Sequence, residues 1–476
     1  MLFNQIKKHS DSTALLTRHS VVSYRQYLNL IHGTASNLTA LNIKKGERIA
    51  IISGNSPEFV VLLPALLRRG AVAVAVNPRF PVSQIKKLLE NINCSIMIGA
   101  SKLIEKRGLE KFARYQIEKI AAGNLIAVEY PAENIVTTTD RDATIVFTSG
   151  SSAGPKAVLH TIGNHYYSAL GSNLNIPFGK GDVWLLSLPL FHVGGMAIVF
   201  RAIVGGGAVA LPQRDETLAE ALLKYRPTHI SLVATQLYRL LQDEQAVEQL
   251  SRMKAVLLGG SAIPENLIKK AMEMGISLFT SYGSTEMASQ ITTTGPGDSL
   301  KYLLTAGKIL KYREVKIAED GEILVKGNTL CRGYIEGGRL EEIRNVDGWF
   351  ATRDLGEFTD KGYLTITGRK DNMFISGGEN IQPEEIEKAL YKMENVVQAL
   401  VVPVINAEYG ERPVAFVHTG TGHFPDEVVF RKFLMKHIAV FKIPDRFFPW
   451  PIKNKRTGIK PDRNYLRRMA GERMNL

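Results

Sequence analysis

At 476 residues the chain exceeds what one ordinary hydrophobic core covers, so two or more domains are expected. A 45% hydrophobic and 22% charged content excludes a disordered chain, no apolar run approaches a membrane span, and the Met1-Leu2-Phe3-Asn4 start does not read as a secretory signal. The formal charge of +13 asks for an anionic partner or a solvated basic surface, and within 441–476 ten lysines and arginines face only three acids. Two cysteines far apart, Cys94 and Cys331, offer neither a metal-ligand spacing nor a disulfide framework; they read as buried thiols of a cytoplasmic protein.

Residues 23–41 carry helical periodicity behind a capping Ser23. A turn at Gly46 leads into a strand ending near Ser53; 57–69 is an apolar helix with proline at its start and Gly70 at its end; 71–76 is a strand stopped by Asn77 and Pro78. Strand, helix, strand at this spacing predicts a parallel sheet with crossover helices, continued by strands at 94–100, 124–129 and 143–147. The rhythm repeats over 180–260, with strands at 183–188, 207–211, 229–233 and 255–258, and an apolar helix through Phe200. From Arg313 the texture changes to short alternating strands with glycine turns (321–327 and 362–368), which predicts a small antiparallel or barrel-like piece over about 305–367. A hinge at 368–371 then separates a domain spanning 1–367 from a C-terminal domain spanning 368–476, whose first helix opens at Gln382-Pro383 with acids in its first turn. The expected fold is α/β: a large N-terminal domain of stacked α/β subdomains plus the barrel-like piece, and a small mobile α+β C-terminal domain.

The predicted strand at 143–147 runs into Thr148-Ser149-Gly150-Ser151-Ser152-Ala153-Gly154-Pro155-Lys156. Small side chains allow close backbone approach, consecutive N–H groups make an anion-binding concavity, and Lys156 adds a point charge; the chemistry suits a polyphosphate. The spacing is not that of a Walker A loop, because three residues rather than four separate Gly150 from Gly154. A flexible Ser/Gly surface loop is the plain alternative.

Seven stretches in order resemble the adenylate-forming superfamily of acyl-CoA ligases, luciferases and peptide-synthetase adenylation domains: the 148–156 loop, 188–193, 258–264, Tyr282-Gly283-Ser284-Thr285-Glu286, 348–356, 368–371 and 377–387. Longer matches over 184–195 with Arg201, 228–241, 255–264 and 374–385 are similar to the branch of that superfamily that activates o-succinylbenzoate for menaquinone biosynthesis. The resemblance implies ATP, Mg²⁺ and coenzyme A as cofactors or co-substrates, and acyl-adenylate formation followed by transfer to a thiol. It assigns Thr148, Ser149, Gly150, Ser151, Ser152 and Lys156 to the β- and γ-phosphates, Gly259, Gly260 and Tyr282 to adenine, Thr285 to a phosphate oxygen and Glu286 to Mg²⁺. Asp354 and Arg369 match the ribose contacts, Asp371 the hinge, and Lys460 the lysine that bridges the reacting carboxylate and the α-phosphate. Two departures stand out. Ala153 occupies a usual glycine position, and Lys460 falls one place later than the usual order, with Lys453 and Lys455 nearby.

For substrate choice Arg201 is the most informative residue, because it interrupts an apolar, helical stretch. A buried guanidinium needs an anionic or hydrogen-bonding partner: a structural carboxylate, or a second carboxylate on the substrate. His192, Ser231 and Thr235 are placed around the same acyl pocket; His192 also fits a satisfied core histidine. On spacing alone Glu286 reads as a solvated loop carboxylate and Asp354 as a turn aspartate. The expected substrate is o-succinylbenzoate or a similar carboxylic acid, and the alternative is a ligase for another aryl or fatty acid. No nucleic-acid-binding signature is present; weak peripheral membrane contact and a homodimer stay open.

Overall fold

The computed structural model describes residues 2–121, 138–148, 154–420, 423–451 and 462–474. The strand expected at 124–129 lies outside them. Two large sheets dominate the N-terminal part. In the nine-stranded sheet, Thr13–Leu16, Ala208–Ala210, Val183–Leu185, His229–Leu232, Ala255–Leu258 and Leu278–Ser284 run parallel as neighbours, with antiparallel strands at both edges. In the eight-stranded sheet, Asp142–Phe147, Val72–Ala75, Arg48–Ile52, Ile96–Gly99 and Ala113–Gln116 are parallel neighbours.

Local sequence explains the helices between these strands. Ser23 and Gln26 close a reciprocal capping box on the Tyr24–Ala40 helix, and Gly70 ends the Pro57–Arg69 helix in the left-handed conformation at φ 83°. Nine consecutive buried residues, Phe59–Leu67, show why that helix reads apolar all round: it lies between the two sheets. One core unites Ile49, Ile51, Ala73 and Val146 of the eight-stranded sheet with Trp184, Val209, Leu257 and Phe279 of the nine-stranded sheet, through helices such as Val193–Gly205. The outer sheet faces have their own cores, one around Leu222, Leu237 and Leu250, the other around Ile85, Leu89 and Ile104. Cys94 and Cys331 are both buried, as expected, and burial pushes the Cys94 thiol up to about 11.

The region 305–367 is antiparallel, as expected, but not one self-contained piece. Arg313–Ile317, Glu322–Gly327, Phe350–Phe358 and Leu364–Arg369 form a four-stranded antiparallel sheet over Ile323, Val325 and Leu364. Gly333–Glu336 leaves that sheet and pairs with Ala157–Thr161 at the edge of the eight-stranded one, so the span is not one self-contained barrel. The last of the four strands runs to Arg369, and a single 3-10 turn, Lys370–Asn372, leads on to Phe374–Ser376. Beyond it a five-stranded sheet packs the Pro383–Leu390 and Glu427–Leu434 helices on one face and Arg463–Met474 on the other. Among the described residues no helix is long and apolar enough to cross a membrane.

Candidate active site

Asp142–Phe147 is followed not by a helix but by a returning antiparallel strand, Ala157–Thr161, with Phe147 opposite Ala157. The 148–156 stretch is therefore the tip of a hairpin. Its base is closed twice: the Thr148 N–H donates to the Lys156 carbonyl at 3.0 Å, and the Lys156 N–H donates to Thr148 Oγ1 at 2.9 Å. Gly154 adopts φ 97°, a left-handed geometry that glycine takes without strain. Ser149, Gly150, Ser151 and Ser152, with Ala153, lie outside the described residues.

Lys156 Nζ stands 4.6 Å over the Tyr334 ring, a cation–π contact. The Tyr334 hydroxyl in turn donates to Glu286 Oε1 at 2.9 Å. Burial, then the Glu286 charge, pushes the Tyr334 phenol upward, so it remains a donor. One tyrosine thus joins the loop lysine to the expected metal-binding carboxylate. Sequence reasoning missed it, since Tyr334 sits in the strand that leaves the small sheet.

The Tyr282–Ser284 part of its motif lies within the strand Leu278–Ser284, and Glu286 lies just past the strand end. Tyr282 donates its hydroxyl to Asp354 Oδ2 at 2.6 Å, while Arg369 donates to Asp354 Oδ1 at 2.5 Å. Asp354 reaches this position through a register shift in Phe350–Phe358, with Arg353 held at φ 62°. A non-glycine residue there costs about 1–2 kcal/mol, and such shifts re-aim side chains beside functional sites. Gly259 and Gly260 follow the Ala255–Leu258 strand; a Cβ at Gly259 would meet Ser281 Oγ at 2.8 Å, and Gly260 has φ 86°. Small residues are thus required where the backbone passes the end of the Tyr282 strand.

Arg201 is 2% exposed in the Val193–Gly205 helix, and no carboxylate among the described residues lies within ion-pair distance of it. Its Nη2 donates to Gln290 Oε1 at 2.6 Å and reaches Ser289 Oγ at 3.5 Å, its guanidinium stands 4.9 Å over the Trp184 ring, and its Nε has no hydrogen-bond partner among the described residues. Burial lowers its pKa to about 9, which leaves it cationic at neutral pH. The other deeply buried arginine is a contrast: Arg313 donates to the carbonyls of Gln290, Lys311 and Ser168. Ser231 belongs to the Arg201 surroundings, since Trp184 Nε1 donates to its Oγ at 3.2 Å. His192 stands at the start of the helix that carries Arg201. Thr235 instead lines a small cavity with Ser261 and Ala262 on one side and Tyr391, Val397 and Gln398 of the C-terminal region on the other.

Asp371 lies in the 3-10 turn, exposed, 2.7 Å from Arg353 and 3.6 Å from Arg369. Lys460 lies outside the described residues. Arg463, three residues on, is anchored by Glu387 at 2.9 Å and Glu384 at 3.4 Å. The structure therefore joins Thr148, Lys156 and Glu286 through Tyr334 in one polar set and Tyr282, Asp354 and Arg369 in another, with Arg201 buried apart among Trp184, Ser289 and Gln290.

Two buried histidines, His160 and His165, lie with ring centroids 5.0 Å apart. Burial lowers His160 to about 4 and His165 in the same direction. The unfolded chain therefore binds more protons between about pH 6.5 and 4. Stability is complete above pH 6.5 and falls as pH drops toward 4, by roughly 3 kcal/mol for a shift the size of His160's. Urea unfolding from pH 7 to 4.5 should show the decline, and a His160→Gln chain, with one such group fewer, should show a shallower one.

Residues 2–335 match the AMP-binding enzyme family, and 385–458 match the AMP-binding enzyme C-terminal domain. The 2-succinylbenzoate–CoA ligase of Salmonella typhimurium is 36% identical over 97% of this chain and 96% of its own length. The o-succinylbenzoate CoA synthetase of Bacillus subtilis in complex with the acyl-adenylate intermediate OSB-AMP superposes with a TM-score of 0.84 at 30% identity, covering 98% of this chain and 97% of that one. A double mutant of the Bacillus subtilis enzyme bound with its product analogue OSB-NCoA gives a TM-score of 0.69 at the same identity and coverage.

Proposed function

The chain belongs to the AMP-binding enzyme family, among the 2-succinylbenzoate–CoA ligases, and from that premise we propose how it carries out the ligase reaction. It activates o-succinylbenzoate with ATP to the acyl-adenylate, releasing pyrophosphate, and then transfers the acyl group to coenzyme A, releasing AMP, in menaquinone biosynthesis. The observation that carries the substrate assignment is Arg201, a buried cation with an amide oxygen as its short partner and an orphan Nε. Desolvating a guanidinium costs on the order of several kcal/mol unless a charge answers it. A dicarboxylate supplies that charge with the carboxylate that is not activated. His192 and Ser231 complete the acyl pocket around Arg201, whereas Thr235, expected there too, faces the small cavity beside the C-terminal region.

In the first half-reaction a carboxylate oxygen attacks the α-phosphorus and the pyrophosphate oxygen leaves. Two anions must meet, so the site supplies cations and oriented donors rather than a base. The 148–156 hairpin tip and Lys156 receive the β- and γ-phosphates, with Thr285 on a further phosphate oxygen. Asp354 and Arg369 meet the ribose hydroxyls, Tyr282 and the Gly259–Gly260 backbone frame the adenine, and Lys460 bridges the carboxylate and α-phosphate. Glu286 is a half-buried carboxylate beside this position, which fits Mg²⁺ held by one carboxylate and the substrate phosphates. The ion supplies charge neutralisation on the phosphates when bound.

In the second half-reaction the CoA thiolate attacks the acyl carbon and AMP leaves. We read Lys370–Asn372 as the pivot on which the C-terminal domain turns between the two steps. The better superposition on the acyl-adenylate complex than on the product-analogue complex, at equal identity and coverage, supports an adenylate-forming arrangement here. The partly exposed Arg353–Asp371 pair is weak enough to break during the turn. ATP and CoA as substrates and two unpaired thiols fit a cytoplasmic enzyme. The test is direct: purified protein with o-succinylbenzoate, Mg-ATP and CoA should yield the CoA thioester, AMP and pyrophosphate in equal amounts, and no thioester would overturn the reading.

A further inference from the structure

The geometry points to His160 as a positioning residue for the nucleotide half of the site: its Nε2–H holds the Thr285 carbonyl, and with it Glu286, in register with the two strands that carry the phosphate hairpin. This inference rests on the reading that Thr285, Glu286 and the 148–156 tip bind the ATP phosphates. His160 lies on the Ala157–Thr161 strand, four residues past Lys156, and its Nε2 is 2.7 Å from the Thr285 carbonyl oxygen. A carbonyl only accepts, so Nε2 carries the proton and Nδ1 is the bare nitrogen. Thr144, on the partner strand entering the hairpin, places Oγ1 3.5 Å from that Nδ1 and 2.7 Å from His165 Nε2. One assignment satisfies the chain: His165 Nε2–H donates to the Thr144 oxygen, the Thr144 hydroxyl turns toward His160 Nδ1, and His160 Nε2–H donates to Thr285.

The relay is dry and rigid. His160 and Thr144 are 0% exposed, and His165 is 1% exposed. His165 lies flat on Phe200, with centroids 4.3 Å apart and planes 3° apart, and Phe200 precedes Arg201 in the acyl-pocket helix. The bond from His160 spans 125 residues of sequence to reach the motif. Other ties on the segment come from the Ala288 N–H to the same Thr285 carbonyl, the Cys331 N–H to the Glu286 carbonyl, and Tyr334 to the Glu286 carboxylate. Of these, the His160 bond is the one that reaches Thr285 from the hairpin strands. Without it, Thr285 loses its direct tie to the hairpin strands, while Glu286 keeps only the indirect one through Tyr334.

The test compares full-length wild type, His160→Leu and His160→Gln, reading Mg-ATP affinity by calorimetry and the KM values for ATP and for o-succinylbenzoate. Loss of one buried donor onto a carbonyl should raise the Mg-ATP Kd and KM about tenfold in the Leu chain. The acid's KM should stay within about twofold, and Gln, which keeps an N–H donor, should recover most of the loss. Unchanged ATP affinity in the Leu chain, equal rises for both substrates, or a Gln chain as poor as Leu would overturn the proposal. Should the Leu chain not fold, the near-isosteric Thr144→Val removes the hydroxyl that faces Nδ1 and should raise the ATP KM about threefold, and no change there would overturn it too. Wild type that fails to bind Mg-ATP would instead overturn the nucleotide-site reading beneath it.

Discussion

Replacing Arg201 with leucine is expected to lower kcat/KM for o-succinylbenzoate by about 10²–10³-fold, the range for removing one partner of a buried, hydrogen-bonded charge pair. The loss should appear mainly in the acid's KM, with the KM for ATP unchanged, because Arg201 contacts Trp184, Ser289 and Gln290 rather than the nucleotide cluster. Stability gives the second readout. A structural arginine lowers Tm when it is removed, as Arg313 should, since its guanidinium donates to three carbonyls. Arg201 answers no carboxylate among the described residues, so the leucine chain should melt at the same temperature as wild type or higher. Unchanged kinetics with a lowered Tm would make Arg201 structural and remove the main support for a dicarboxylate substrate.

Lys460→Ala should reduce adenylate formation by about 10²–10³-fold, the scale for loss of one preorganised group at a developing charge. Added acyl-adenylate should still react with CoA at near the wild-type rate, because the bridging role proposed for the lysine belongs only to the first half-reaction. Arg463, fixed by Glu387 and Glu384, anchors the chain three residues downstream. Lys453→Ala and Lys455→Ala, made in parallel, identify the lysine: the variant that separates the two half-reactions carries the role. Equal loss of both half-reactions in Lys460→Ala would contradict the assignment.

The parts of the fold written in local chemistry were legible. Ser23 and Gln26 announce a helix start, Gly70 a helix end, and the alternation of strands and helices announces the parallel sheets. What depends on distant pairing was not. The Ala157–Thr161 strand merges into the helix that begins at Ile162, so nothing in its residues marks the hairpin return. Gly333–Glu336 carries the turn-rich texture of the small sheet yet pairs with a strand some 170 residues earlier. That one displacement hid Tyr334, the link between Lys156 and Glu286. The motif residues Tyr282, Asp354 and Arg369 were found from the resemblance, but their mutual bonds depend on a register shift at Arg353 that leaves no mark in the sequence. For Arg201 the apolar context predicted burial; the amide partner Gln290 comes from a strand 89 residues away and needed the structure.

The most direct measurement is CoA-dependent AMP formation with Mg-ATP across a panel of acids: o-succinylbenzoate, the same molecule with either carboxylate methylated, benzoate and a medium-chain fatty acid. With Arg201 answering the second carboxylate, kcat/KM for the free dicarboxylate should exceed that of every monocarboxylate by at least about a hundredfold, the scale of one answered buried charge. Equal turnover of benzoate or the fatty acid would contradict it.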